Sequence, residues 1–231
     1  MPHFEIAGAT DTGKMRKKNE DCFSFYSDIA AFAVVADGIG GHVHGDVASR
    51  LCCDSLTAAF KSWSKREQSS DSKSEKLLCG SIRKVNEYIY DRNVREQHSL
   101  PMGCTVCAAV FSDDFVVAAN AGDSRLYILE NGRLRRLTKD HSVKHNGMNC
   151  LYLAVGITKT MAPEMFHFPS PEEGRYLLMS DGIYNSLAED KIAEIFSAAA
   201  TANEAVQNII SQANANGGVD NLTVIAVIKR S

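Results

Sequence analysis

Apolar and β-branched residues gather in short runs bounded by Gly, Asn, Asp or Ser, the pattern of β-strands. The runs are Phe4–Ala9, Cys22–Tyr26, Ile29–Ala36, Cys104–Phe111, Phe115–Asn120, Arg125–Leu129, Arg133–Thr138, Arg175–Met179 and Leu222–Ile228. Glu130-Asn131-Gly132 is a turn signal that makes 125–138 a hairpin, and Ser112-Asp113-Asp114 is a second tight link, so the middle of the chain reads as an antiparallel meander. Helical spacing appears in Asp46–Trp63 and in Glu75–Asn93, where Leu78, Ile82, Val85 and Ile89 recur every three or four residues. Two further helices are predicted over Glu189–Ala199 and Asn203–Ala215, the second stopped by Gly217-Gly218. The polar stretch Lys61–Lys76 is expected as a solvated connection. Sequential helix pairs separated by antiparallel strands are an α+β arrangement, with helices layered on sheets, and 1–231 is expected to form a single domain.

Composition narrows the function classes. The 231 residues carry 25 Lys+Arg against 28 Asp+Glu, a formal net charge of −3, which argues against a dominant nucleic-acid or anionic-membrane surface. The longest uncharged apolar run, Ile29 to Ala36, is far short of the ~20 residues that span a bilayer, and no apolar stretch follows the basic residues near the start. A cytoplasmic location is expected. The seven cysteines fit reduced core residues. Cys104 and Cys107 have a CxxC spacing, but three residues apart on a strand they face opposite sides and cannot converge on a metal.

The chemistry lies in the positions of the acids. Ile29–Ala36 ends in Asp37-Gly38-Ile39-Gly40-Gly41, the run to Ser180 ends in Asp181-Gly182, and Val219-Asp220-Asn221 precedes the last strand. One Asp-Gly alone is ordinary turn chemistry. Three carboxylates at strand mouths, with Glu20-Asp21 and Asp123 besides, point instead to a cation, because clustered carboxylates repel one another unless neutralised. Hard oxygen ligands select Mg²⁺ or Mn²⁺ over Zn²⁺.

At these residues the chain resembles the metal-dependent protein phosphatases of the PP2C (PPM) type. The motifs are Thr10 to Asp21 (TDTGKMRKKNED), Val35-Ala36-Asp37-Gly38-Ile39-Gly40-Gly41-His42, Gly103-Cys104-Thr105, Asn120-Ala121-Gly122-Asp123-Ser124-Arg125, Leu137 to Ser142 (LTKDHS), Met179-Ser180-Asp181-Gly182 and Asp220-Asn221, in the family's order from about residue 6 to 229. The resemblance implies a four-layer α/β/β/α sandwich with two central antiparallel sheets. It also implies two Mn²⁺ or Mg²⁺ ions bridged by a water, with room for a weaker third. By the same resemblance Asp37 would bridge both ions and Gly38 would lend its carbonyl, while Asp181 and Asp220 would bind the second ion. Glu20 and Asp21 would hold metal-bound water or outer contacts, Asp123 would help hold the third ion, and Arg16 would clamp the substrate phosphate. Implied substrates are phosphoserine and phosphothreonine proteins within a cognate Ser/Thr kinase system, acted on by a monomer.

Three features depart from the family pattern. Ile39 stands where many eukaryotic members carry a histidine proposed as general acid, His42 being the nearest replacement; Asn185 stands where a third-metal Asp is usual; and the segment from His141 to Gly156 is short. Two rivals carry other expectations. A catalytically weak regulatory module on the same fold would exploit Asn185 and the short segment, whereas retention of Arg16, Asp37, Asp181 and Asp220 argues for an enzyme. Gly122-Asp123-Ser124 would make Ser124 an esterase nucleophile, but no late histidine accompanies it.

Overall fold

A computed structural model describes residues 4–28, 30–39, 44–65, 70–97, 100–145 and 148–230. Strands β1 (Phe4–Asp11), β2 (Asp21–Ser27) and β3 (Ala31–Asp37) lead into two long helices, α1 (Gly45–Ser64) and α2 (Asp71–Glu96). The meander follows as β4 (Val106–Phe111), β5 (Phe115–Ala121), β6 (Arg125–Glu130) and β7 (Arg133–Arg136). A small hairpin, β8 (Ser142–His145) and β9 (Met148–Leu151), precedes β10 (Glu164–Pro169) and β11 (Gly174–Met179). The chain closes with α3 (Asp181–Ser186), α4 (Glu189–Ala198), α5 (Ala202–Ala215) and β12 (Leu222–Lys229).

Two five-stranded sheets result, ordered β1-β12-β11-β6-β7 and β10-β5-β4-β3-β2, and their paired strands run antiparallel. Alternation along β3 shows why its sequence is apolar throughout. Phe32, Val34 and Ala36 pack toward α1 and α2, while Ala31, Ala33 and Val35 join the core between the sheets. On β12, Val224, Ala226 and Ile228 face α5, while Ile225 and Val227 face the other sheet. A strand covered on both faces has no polar side to show. The expected α/β/β/α layering is what these three cores produce. Asn131 and Gly132 both take positive φ, 51° and 74°, the backbone that the predicted 125–138 hairpin needs.

Several elements differ from expectation. The polar residues Asp71 to Lys76 are the first turns of α2 rather than part of a connection, because Ser74 is buried and the rest are solvated helix surface. Strands β8, β9 and β10 and helix α3 carry no readable period. The first two are four residues each, β10 is a partly exposed edge strand ending in Pro169, and α3 has six residues. Cys104 and Cys107 fall in different cores, and all seven cysteines are free thiols.

Helix α2 also positions a distant loop. Two asparagines seven apart lie on its buried face. Asn93 Nδ2 donates to the carbonyls of Met102 (2.8 Å) and Gly156 (3.0 Å), and its Oδ1 accepts from Met102 N–H (2.9 Å). Asn86 Oδ1 accepts from Gly156 N–H (2.8 Å), and its Nδ2 donates to Thr158 O (3.0 Å). Asn93→Ala leaves three buried backbone groups unpaired and should destabilise by roughly 3 kcal/mol, about 6–12 °C in melting temperature for a protein this size. A thermal melt showing a shift below about 2 °C would mean that those groups are satisfied without Asn93.

Candidate active site

The site forms where strand ends of the two sheets meet. Asp37 closes β3 and stands opposite Asp21, the first residue of β2. Thr105 fixes the Asp37 backbone from both sides: its Oγ1 accepts from Asp37 N–H (2.9 Å), and its own N–H donates to Asp37 O (2.8 Å). Gly38 has no space for a side chain. A Cβ there would lie 2.5 Å from the Gly45 carbonyl carbon and 2.8 Å from Glu20 O. The same crowding lets Gly38 N–H reach Glu20 O at 3.1 Å, which holds the Glu20–Asp21 segment against the end of β3.

The second sheet supplies its acids from neighbouring strands. Asp181, separated from β11 by Ser180, is the first residue of α3, and Asp220 precedes β12, which pairs with β11. Gly182 permits this approach, since a Cβ there would sit 2.0 Å from Asn221 O. Ser180 joins the two sheets: its Oγ accepts from Thr223 N–H (3.1 Å) and donates to Asp21 Oδ2 (2.7 Å). Asn221 organises the 12–20 loop. Its Nδ2 donates to Thr12 O and Lys18 O, each at 2.9 Å, and its Oδ1 accepts from Glu20 N–H at 2.9 Å. That loop presents Arg16, whose Nη2 lies 2.8 Å from Asp220 Oδ2.

Burial and mutual repulsion dominate the electrostatics. Asp37 is set deep with an edge on the cavity; desolvation, then the charges of Asp21, Asp181, Asp220 and Asp123, push its carboxyl well above the usual carboxylate range. Desolvation also raises Asp21 to about 6 and Asp181 to about 7. Asp123 and Glu20 are raised by burial too. Asp21 Oδ1 is buried with no hydrogen-bond donor. The hydrogen bond to Asp220 raises Arg16, so the guanidinium stays charged.

This donor set fits hard divalent cations. It is all oxygen, crowded with like charge, and includes an orphaned carboxylate oxygen. Among the described residues, no three acidic, His or Cys side chains converge on one ready-made coordination point.

Asp123 lies between β5 and β6 and is tied to α3 by Tyr184, whose Oη donates to Asp123 O (2.8 Å). The Arg125 guanidinium lies 3.5 Å from the Tyr184 ring centroid and forks onto Asp140 at 3.0 and 2.8 Å. Asn185 Nδ2 donates to Asp181 Oδ2 (3.2 Å), so its amide faces the acids, while α4 has Ala188 at its N-cap and no side-chain cap.

Every acid singled out in the sequence thus lies at one end of the sandwich. Glu20, Asp37, Asp123, Asp181 and Asp220 share a cavity of about 740 Å³ with Arg16 and Gly38, and Asp21 lies behind it, bonded to Ser180. Ser124 is fully buried and shares a hydrogen bond with Thr105, which excludes it as an esterase nucleophile. Ile39 lines the cavity; Gly40, Gly41 and His42 lie outside the described residues. The sequence reading placed Thr105, Ser180 and Asn221 in motifs but assigned them no supporting role. Their one signal is a polar residue beside an acid at the end of an apolar run. It also missed the cavity's far wall, formed by Leu151, Tyr152, Leu153 and Ala154 with Ile157.

Comparison with known proteins identifies this arrangement. Residues 15–216 match the profile of the family described as Protein phosphatase 2C. The serine/threonine phosphatase Stp of Listeria monocytogenes is 34% identical over 236 residues, covering 94% of this chain and 93% of that protein. The crystal structure of serine/threonine phosphatase Stp1 from Staphylococcus aureus superposes with a TM-score of 0.90 at 26% identity, over 100% of this chain and 96% of that one. The catalytic domain of the serine threonine protein phosphatase PstP, solved with two manganese ions, gives a TM-score of 0.81 at 28% identity over 97% and 98% of the two chains. The chain belongs to the protein phosphatase 2C family.

The raised carboxyls make the metal-free protein sensitive to pH. Asp21 at about 6 and Asp181 at about 7 bind protons more tightly in the folded chain than unfolded aspartate, which titrates near ~4. As pH rises from ~4 to about 7, the unfolded state ionises first, so stability falls across that window and levels off above it. In chelator, the melting temperature should therefore drop by several degrees from pH 5 to pH 8. A flat or rising profile would contradict this electrostatic account.

Proposed function

We propose that this protein phosphatase 2C member is a metal-dependent serine/threonine protein phosphatase that hydrolyses phosphoserine and phosphothreonine with two Mn²⁺ or Mg²⁺ ions. The observation that carries this reading is the meeting of Asp37, Asp181 and Asp220 with Arg16 in one cavity. Asp37 and the Gly38 carbonyl would hold one ion, and Asp181 and Asp220 the other, with Asp37 shared between them. Asp123 and Asp181, facing a neutral Asn185, would leave a third ion weakly held. When bound, the ions supply a water of lowered pKa and neutralise charge on the phosphoryl oxygens.

The chain's own residues supply orientation. Arg16 offers a planar fork that matches two phosphate oxygens, a geometry that a lysine lacks. Its exposed position beside Asp220 lets it turn onto an incoming phosphate. Thr105 holds the Asp37 backbone in place and Ser180 holds the Asp21 carboxylate, so little reorganisation is needed when substrate arrives. No phosphorylated enzyme residue is required. Among the described residues, no helix is long and apolar enough to cross a membrane. We assign the protein to the cytoplasm, as a monomer opposing a Ser/Thr kinase.

Turnover of a phosphothreonine peptide should require Mn²⁺ or Mg²⁺, stop with EDTA and vanish in Asp37→Asn and in Asp220→Asn. Wild-type rates in either variant at moderate metal concentration would show that its carboxylate is not a ligand.

A further inference from the structure

The cavity is far larger than a phosphoryl group needs, and its two sides differ in chemistry. The floor holds Glu20, Asp37, Asp123, Asp181, Asp220 and Arg16. The wall formed by Leu151, Tyr152, Leu153, Ala154 and Ile157 carries no charged side chain. Phosphate hydrolysis makes no use of that wall.

Tyr152 is 58% exposed, with His141 forming one side of its surroundings. Its N–H donates to His141 O (2.9 Å), and its ring stands edge-on to the His141 ring, with centroids 5.7 Å apart. His141 is itself buried: Nδ1 accepts from Gly122 N–H (3.3 Å), so Nε2 carries the proton and donates to Glu164 Oε2 (2.9 Å). The wall is in register with the floor. Val155 and Cys104 exchange both backbone hydrogen bonds (2.9 and 3.1 Å), and the next residue, Thr105, holds Asp37. Gly122, bonded to His141, precedes Asp123. One backbone framework therefore sets the distance between the acids and the tyrosine.

Resting on the phosphatase reading, we propose that the 151–157 wall is a subsite for a large apolar residue adjacent to the phosphorylated residue, with Tyr152 selecting it. A rigid exposed aromatic with two rotatable bonds gives large contact area at little entropic cost. Charge disfavours the opposite occupant. Two divalent ions would not fully offset the five lining carboxylates, and the single lining cation among the described residues, Arg16, is engaged by the phosphate. The phosphate adds negative charge of its own, so an acidic neighbour meets a net negative surface. The favoured substrate class is a phosphopeptide carrying Leu, Met or Phe next to the phosphoresidue.

The test is a set of phosphothreonine peptides with Leu, Phe, Ala or Asp on either side, assayed with Mn²⁺. On at least one side, kcat/KM for Leu or Phe should exceed Asp by roughly tenfold or more. Tyr152→Ser should bring that ratio to within about threefold, and Tyr152→Phe should keep it. Equal rates across all neighbours in the wild type, or a preference for Asp, would overturn the subsite whether or not a variant folds. An undiminished apolar preference in Tyr152→Ser would overturn the role of Tyr152. Absence of metal-dependent turnover for every peptide would instead remove the phosphatase reading, and the subsite with it.

Discussion

Crowding of like charge at one end of the sandwich is the constraint on which the rest of the structure depends. Asp37 feels four other aspartates, and burial compounds their repulsion. Without counter-charge such a cluster works against folding, so the surrounding chain has to hold it by force of geometry. Asp21 and Asp37 are opposite partners on neighbouring strands, Asp181 is locked to the end of β11, and Asp220 is kept in place by the start of β12. The three cores supply the rigidity, because β3, β11 and β12 are buried on both faces and cannot shift to relieve the repulsion.

Much of this was legible in the sequence because it lies at the ends of strong apolar runs. Ile29–Ala36 and Leu222–Ile228 read as buried strands, and an acid at the mouth of such a strand has few places to go. The turn at Asn131-Gly132 was equally plain, since both residues tolerate positive φ. The polar start of α2 was not, because DSKSEK is a solvated helix surface whose composition matches a loop. Nor was α3 visible, since six residues cannot display a helical period.

The supports of the site were hidden for a different reason. Thr105, Ser180 and Asn221 act through hydrogen bonds to backbone and carboxylate groups that are distant in sequence: Thr105 reaches back 68 residues to Asp37, and Ser180 reaches 159 to Asp21. No local pattern encodes such pairs. The apolar wall was hidden in the same way, because its position over the acids is set by Asn86 and Asn93 on α2 and by the pairing of Val155 with Cys104. The segment from His141 to Gly156, expected from the sequence to be short for the family, places an exposed aromatic, Tyr152, at the cavity rim.

The central claim is that these carboxylates are a cation site rather than a strained acidic corner. Calorimetric titration of Mn²⁺ into chelator-treated protein at neutral pH tests it most directly, with Asp37→Asn beside the wild type. The account predicts two tightly bound ions and a weaker third in the wild type, with the tight pair lost or sharply weakened when Asp37 becomes neutral. Absence of tight binding in the wild type, or identical isotherms for the two proteins, would contradict it.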